Sequence, residues 1–230
     1  MLAILHEDNH CLAIDKPAGM LSQGDATGDP SADEEVRAYL KTAHSKPGNV
    51  YVGLVHRLDR PTSGVLLLAR TSKGAARLSE QFRSGHVAKT YLAVVEGAWP
   101  DDSGEWEDWL LKDERTNMVA AVSPETPGAR RANVAYRVVD RRAGTITIEL
   151  QPTTVRGHQL RVQLASRGLP IVGDRKYGAR STLMALDGRS RIALHARELR
   201  FKHPTRPEHL TIAAPIPADW PSSGGSSGCR

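Results

Sequence analysis

Cysteine is nearly absent from this chain. There are two in 230 residues, Cys11 in an apolar stretch and Cys229 in the terminal tail. That excludes a disulfide framework and fits a reducing compartment, so a cytoplasmic protein is expected. Aromatic residues make up only 5 % of the sequence. No apolar run approaches the length of a membrane span. The opening segment Met1–Leu5 is too short for a signal-peptide core, and acidic residues follow it. There is no internal repeat. Low complexity is confined to the Ser- and Gly-rich end from Pro221, which is expected to be disordered.

Charge, by contrast, is plentiful. Lys and Arg outnumber Asp and Glu, 31 against 26, for a formal net charge of +5. The arginines gather in clusters, at 57–83, 130–142 and 156–175. A clustered basic surface suits an acidic partner such as nucleic acid. The length is enough for one domain with a substantial core, expected over residues 1–220.

The most informative stretch runs from Gly53 to Arg70. Val65 to Ala69 is a short, continuous apolar run that begins with a β-branched residue, as a buried strand does. Pro61 presets one backbone angle and Gly64 permits another, so the preceding connection is tight. Asp59 therefore sits on a rigid loop at the lip of a sheet, between Arg57 and Arg60. An aspartate there is often no more than a turn cap. With cations on both sides it is equally suited to a structural ion pair or to nucleophilic chemistry, and these residues alone leave all three readings open.

The remaining elements follow from spacing. Leu2–Glu7 and Cys11–Asp15 read as strands, Lys16–Met20 as a loop and Ser22–Pro30 as a surface loop. Ser31 and Glu34 form a capping box for a helix to about Thr42. Ser72 reads as the N-cap of a second helix, with Leu78 and Phe82 on one face and Gly85 past its end. Ala88–Glu96 is a strand, and Tyr91 within it reads by itself as a core aromatic. Two hairpins follow, 106–122 and 129–150. Ile146, Ile148 and Leu150 alternate as a half-buried antiparallel strand requires. Leu160 and Leu164 share a helix face that Gly168 terminates, and short strands come near 192–196 and 211–214. His158 and His195 lack the spacing of a metal pair and have no cysteine partner.

The word His56-Arg57-Leu58-Asp59, followed by Thr62-Ser63-Gly64, resembles motif II of the pseudouridine synthases that modify ribosomal and transfer RNA. Ile14-Asp15-Lys16-Pro17-Ala18-Gly19 resembles motif I, where the Lys-Pro pair is mainly architectural. Thr154, Arg156, His158, Gln159 and Arg161 match motif III, with Val155 where the family has glycine. Gly173-Asp174 with Tyr177-Gly178, and 192–204, match two further segments, so the resemblance covers about 5–217 in order.

The resemblance implies an α+β pseudouridine synthase fold: a mixed, mainly antiparallel central sheet bent around a cleft, with flanking helices. It implies isomerisation of specific uridines in structured rRNA or tRNA, with no cofactor and no metal. By the same resemblance Asp59 is catalytic, Tyr91 stacks on the target base, and Arg161 forms the salt bridge to Asp59, with Arg156 the second candidate. His56, Arg57, Thr62 and Arg156 are expected to bind substrate, Arg57 by filling the space that a flipped base leaves. The small basic RNA-binding domain that often precedes this catalytic domain is not expected, since the chain starts at motif I, and a monomer is expected.

Two rival readings have different chemistry. One is a non-catalytic RNA-binding or ribosome-assembly module on the same fold. The other is a metal-dependent hydrolase built on His56, Asp59, His158 and His195.

Overall fold

The computed structural model describes residues 2–45, 47–99 and 101–221. The tail expected to be disordered falls almost wholly on 222–230, outside the described residues. Strands β1 (Ala3–Glu7) and β2 (Cys11–Lys16) lead to helix α1 (Ala32–Ala43), then β3 (Gly53–Leu54) and β4 (Ser63–Ala69). Helix α2 (Ser72–Arg83) is followed by β5 (Ala88–Glu96), β6 (Ser103–Asp113), β7 (Met118–Val122), β8 (Arg130–Arg142) and β9 (Thr145–Pro152). Helix α3 (Gln159–Ala165) precedes β10 (Leu194–Lys202) and β11 (His209–Ala213). Among the described residues, eleven strands form one sheet in the order β1-β2-β4-β10-β5-β9-β8-β6-β7, with β11 on β10 and β3 on β4. The β4–β10 pair is parallel and the other pairings are antiparallel, so the sheet is mixed and mainly antiparallel, as an α+β fold requires.

Strand β4 shows why the apolar run is continuous. Every residue of it is buried. Val65, Leu67 and Ala69 enter the core beneath α2, with Leu78 and Phe82. Leu66 and Leu68 enter the opposite core beneath α1, with Val36 and Leu40. A strand covered on both faces needs apolar side chains at both parities. Each such leucine contributes about 1.5–3 kcal/mol by leaving water. A third core joins β5, β9 and α3 through Ile146, Ile148, Leu150, Leu160 and Leu164.

The helix starts differ in detail from the spacing argument. The α2 cap is Thr71, one residue before the expected Ser72, and its side chain accepts from Gly74 N–H at 3.0 Å. Ser31 does precede α1, but its hydroxyl turns to the Asp33 and Glu34 carboxylates, each at 2.7 Å, and caps no backbone N–H. Gly85 follows α2 with φ +75°, as a left-handed helix stop does.

Gly64 joins the fold to the site. It opens β4 at φ +112°, and a Cβ built there would lie 2.3 Å from the Ala196 carbonyl oxygen on β10. The Ser-Gly pair thus lets two central strands approach as parallel neighbours, with His195 opposite Ser63 and Ala196 opposite Gly64. Gly64→Ala is expected to lose about 3 kcal/mol or more, from strained backbone plus displaced strand. In a chain of this size that lowers the melting midpoint by roughly 6–12 °C. A midpoint within about 2 °C of wild type would show that β4 does not need this approach.

Candidate active site

Asp59 heads a turn closed by Thr62 N–H, which donates to the Asp59 carbonyl at 3.0 Å. The residues around it are clamped one by one. Ser22 Oγ donates to the Leu58 carbonyl at 2.8 Å and accepts from Leu58 N–H at 3.0 Å. Gly19 N–H donates to the Arg60 carbonyl at 2.7 Å, and Ile192 N–H reaches the Pro61 carbonyl at 3.3 Å. Lys16, fully buried, donates to the carbonyls of Pro17, Met20 and Arg60. Burial pulls its pKa down to about 7. Lys16 and Ser22 thus both lie under the Asp59 turn, Ser22 buried apart from the exposed surface loop expected from it to Pro30. Each looked generic in sequence because the turn it supports lies 36 to 44 residues away.

The Asp59 side chain is 30 % exposed and faces a cleft of about 620 Å3. Arg161 Nη1 donates to Asp59 Oδ2 at 3.0 Å. The rest of the guanidinium is committed to Asp174: Nε to Oδ2 at 2.7 Å and Nη2 to Oδ1 at 2.8 Å. Arg161 is 5 % exposed and Asp174 is 1 % exposed, so this fork is nearly dry. The guanidinium carbon stands over the Tyr177 ring, 4.9 Å from its centre. Such a fork fixes one planar group between two carboxylates, which a lysine cannot do. Asp59 Oδ1 has no partner among the described residues, leaving one carboxylate oxygen for a ligand.

Tyr91 lines the same cleft from β5, one sheet row from Gly64 through Ala196. Burial first, and then the Asp59 charge, hold its hydroxyl pKa above the usual phenol value. His158 enters from the left-handed start of α3, φ +52°, with Nε2 3.8 Å from Asp59 Oδ2 and Nδ1 2.6 Å from the Tyr177 hydroxyl. Burial lowers its pKa; the neighbouring Asp59 opposes that shift.

The other expected residues divide. Thr62 is buried in the cleft wall, and its hydroxyl has no hydrogen-bond partner among the described residues. Arg57 is exposed at the mouth, with no hydrogen bond or ion pair among the described residues. Arg60 does not flank Asp59 as the sequence suggested: it turns to Asp29 at 2.7 Å and to the Gly19 carbonyl. Arg156 is not the partner of Asp59 either. It lies on the rim beside the exposed Val155 and donates to the carbonyls of Arg131 and Val155. His56 lines the cleft, but its Nε2 accepts from Leu67 N–H at 2.9 Å, and its ring stacks on Phe82 with centroids 4.5 Å apart. Burial and the Lys89 charge bring its pKa down to about 3, so it is neutral at ordinary pH. Asp174 and Lys89 were not singled out as site residues by the sequence.

The four residues of the metal-hydrolase reading do not converge. His195 is fully buried and hydrogen-bonds Ser63 through Nδ1 at 2.9 Å, and His56 is tied to Leu67. Among the described residues, His6, Asp8 and Cys11 do bring ligand atoms within 4.8 Å of one another. Asp8 Oδ2 is already occupied there by Arg206 and His203, each at 2.8 Å, so the group is an ion-pair hub and a poor cation site.

A carboxylate with one bare oxygen, a nearly dry arginine behind it and a tyrosine thus line one cleft. The family described as RNA pseudouridylate synthase matches residues 10–166, which hold Asp59, Tyr91 and Arg161. The chain belongs to the RNA pseudouridylate synthase family. A ribosomal large subunit pseudouridine synthase D from Xanthomonas campestris pv. campestris is 38 % identical over 227 residues, covering 95 % of this chain and 67 % of the relative. A ribosomal large subunit pseudouridine synthase C from Vibrio vulnificus is 33 % identical over 215 residues, covering 93 % of this chain and 65 % of that protein. The chain thus spans about two thirds of the length of such curated relatives. The solved structure of human RNA pseudouridylate synthase domain containing 4 superposes with a TM-score of 0.77 at 27 % identity, covering 94 % of this chain and 89 % of that one. The synthase fold is therefore that of this chain. No helix among the described residues is long and apolar enough to cross a membrane.

Proposed function

We propose that this protein isomerises specific uridines in ribosomal or transfer RNA to pseudouridine, in the cytoplasm, with Asp59 as the catalytic residue. One observation carries the reading: Asp59 stands in the cleft with Oδ2 held by Arg161 and Oδ1 bare, opposite Tyr91. A binding-only module has no use for such a carboxylate, since its charge repels phosphate.

In the reaction the bond from ribose C1′ to uracil N1 breaks, the base turns, and C1′ bonds to C5. The C5 proton leaves and N1 gains one, so atoms and electrons balance with no redox partner. Asp59 starts this at the ribose, as nucleophile or as base; either route uses the bare oxygen. Tyr91 stacks on the uracil, and Arg161 orients the carboxylate. A base inside a duplex cannot reach the cleft, so the uridine is flipped out or lies in a loop. Arg57 then stands where the base departed. Arg57, Arg83 and Arg156 line a groove continuous with the cleft mouth and meet RNA phosphates, which makes binding salt-dependent.

Tyr91 stays a neutral phenol through the working pH range, because its pKa is raised. Tyr91→Phe is therefore expected to leave the alkaline limb of the pH–rate profile in place. Tyr91→Ala raises KM by about tenfold or more, as a lost base stack does. An alkaline limb that disappears in Tyr91→Phe would make Tyr91 a titrating group.

The test of the function is a pseudouridine map of total RNA from cells with and without the gene. Loss of one or a few sites, restored by the wild-type gene and not by Asp59→Asn, is the expected result. An unchanged map would favour the binding module.

A further inference from the structure

One end of the cleft is not used by Asp59, Tyr91 or Arg161. Lys89 stands there on β5, two residues before Tyr91 and on the same face, about 7 Å along the strand. It is 6 % exposed and lines the cleft. Among the described residues it has no hydrogen bond and no ion pair. Burying an ammonium without a partner is unfavourable, and burial does lower its pKa.

His56 lines the same cleft, near enough to feel the Lys89 charge. It is neutral, and its Nε2 accepts from Leu67 N–H. A neutral imidazole that accepts at Nε2 must carry its proton at Nδ1. That Nδ1–H has no acceptor among the described residues. Two donors, one of them cationic, thus line the cleft unpaired, beside Phe82.

We propose that Lys89 and His56 Nδ1–H form a seat for one phosphate of the RNA backbone, the one adjoining the target uridine. This rests on the reading that the cleft takes a uridine within RNA. A full negative charge is what the unpaired Lys89 lacks, and uracil is neutral. The offset from Tyr91 is the span that a ribose bridges between a base and its phosphate. The seat makes the cleft selective for a uridine within a strand over a free nucleoside, and it fixes the register of the sugar against Asp59.

The test uses a short RNA carrying a uridine found by the pseudouridine map. Two further versions have a neutral methylphosphonate on the 5′ or the 3′ side of that uridine. With wild-type protein, one of the two neutral linkages is expected to raise KM about tenfold. Lys89→Met raises KM on the natural RNA by a similar factor, and its salt slope of log KM falls by about 0.7 to 1. Lys89→Met with that same neutral linkage loses little more than either change alone, as partners in one contact do. Lys89→Arg keeps the charge and retains most of the affinity.

Strictly additive losses, or an unchanged salt slope in Lys89→Met, would overturn the seat while leaving the activity standing. If Lys89→Met does not fold, wild-type protein indifferent to both neutral linkages overturns it equally. A wild-type protein that makes no pseudouridine in this RNA removes the proposed function, and the seat with it.

Discussion

Replacing Asp59 with asparagine is expected to reduce pseudouridine formation by about 10⁴-fold or more, the scale on which a covalent or basic catalyst is lost. The change is nearly isosteric. The amide oxygen can still accept from Arg161 Nη1, and the turn held by Ser22, Gly19 and Ile192 does not involve the carboxylate. Stability should therefore change little. What disappears is a charge and a nucleophilic or basic oxygen. RNA affinity holds or tightens, because removing a negative charge from a cleft rimmed by Arg57 and Arg156 cannot weaken its attraction for phosphate. Single-turnover rates and a binding isotherm on the same RNA separate the two effects. Turnover within tenfold of wild type would remove Asp59 from the chemistry.

Arg161→Met is expected to damage both fold and activity. The guanidinium is the cation facing Asp174, which is 1 % exposed. Removing one partner of a buried pair leaves an uncompensated charge, at about 3–5 kcal/mol. The melting midpoint should fall by roughly 6–20 °C. A double variant, Arg161→Met with Asp174→Asn, should recover part of that loss, since the stranded charge is then gone. Arg161→Lys tests positioning apart from stability. One ammonium cannot span two carboxylates as Nε, Nη1 and Nη2 do, so Asp59 is left loosely held. The expected outcome is a folded protein that turns over about 10²-fold slower, with KM affected less than kcat. Full stability in Arg161→Met, or no gain from the second change, would mean that the fork carries no strategic charge.

The sequence was legible wherever structure is local. Continuous burial of β4 followed from an apolar run, and the alternation in β9 from its isoleucines. The Asp59 turn could be read from Pro61 and Gly64, though not its neighbours: Arg60, adjacent in sequence, turns to Asp29, while Arg161, 102 residues away, supplies the cation. The family motifs bridged that distance for Asp59, Tyr91 and Arg161. They did not single out Ser22, which looks like any loop serine until Leu58 lies above it. Asp174 likewise sat in a turn motif, with nothing to announce that its carboxylate would receive the fork of Arg161. Val155 was visible as a departure from the motif, and it lies exposed at the rim of the cleft.

The parallel pairing of β4 with β10 has a consequence in time. Ser63 and His195 are 132 residues apart, yet they lie side by side beneath the cleft. A ribosome emits the chain from its N-terminus at about 5–20 residues per second. Asp59 therefore emerges on the order of ten seconds before Leu194, which lines the cleft, and Ile192, which clamps its turn. During that interval the motif is exposed without its neighbours, and long-range pairings of this kind close last. The cleft is complete only once β10 has paired with β4. A nascent or truncated copy that stops short of β10 thus lacks the assembled cleft.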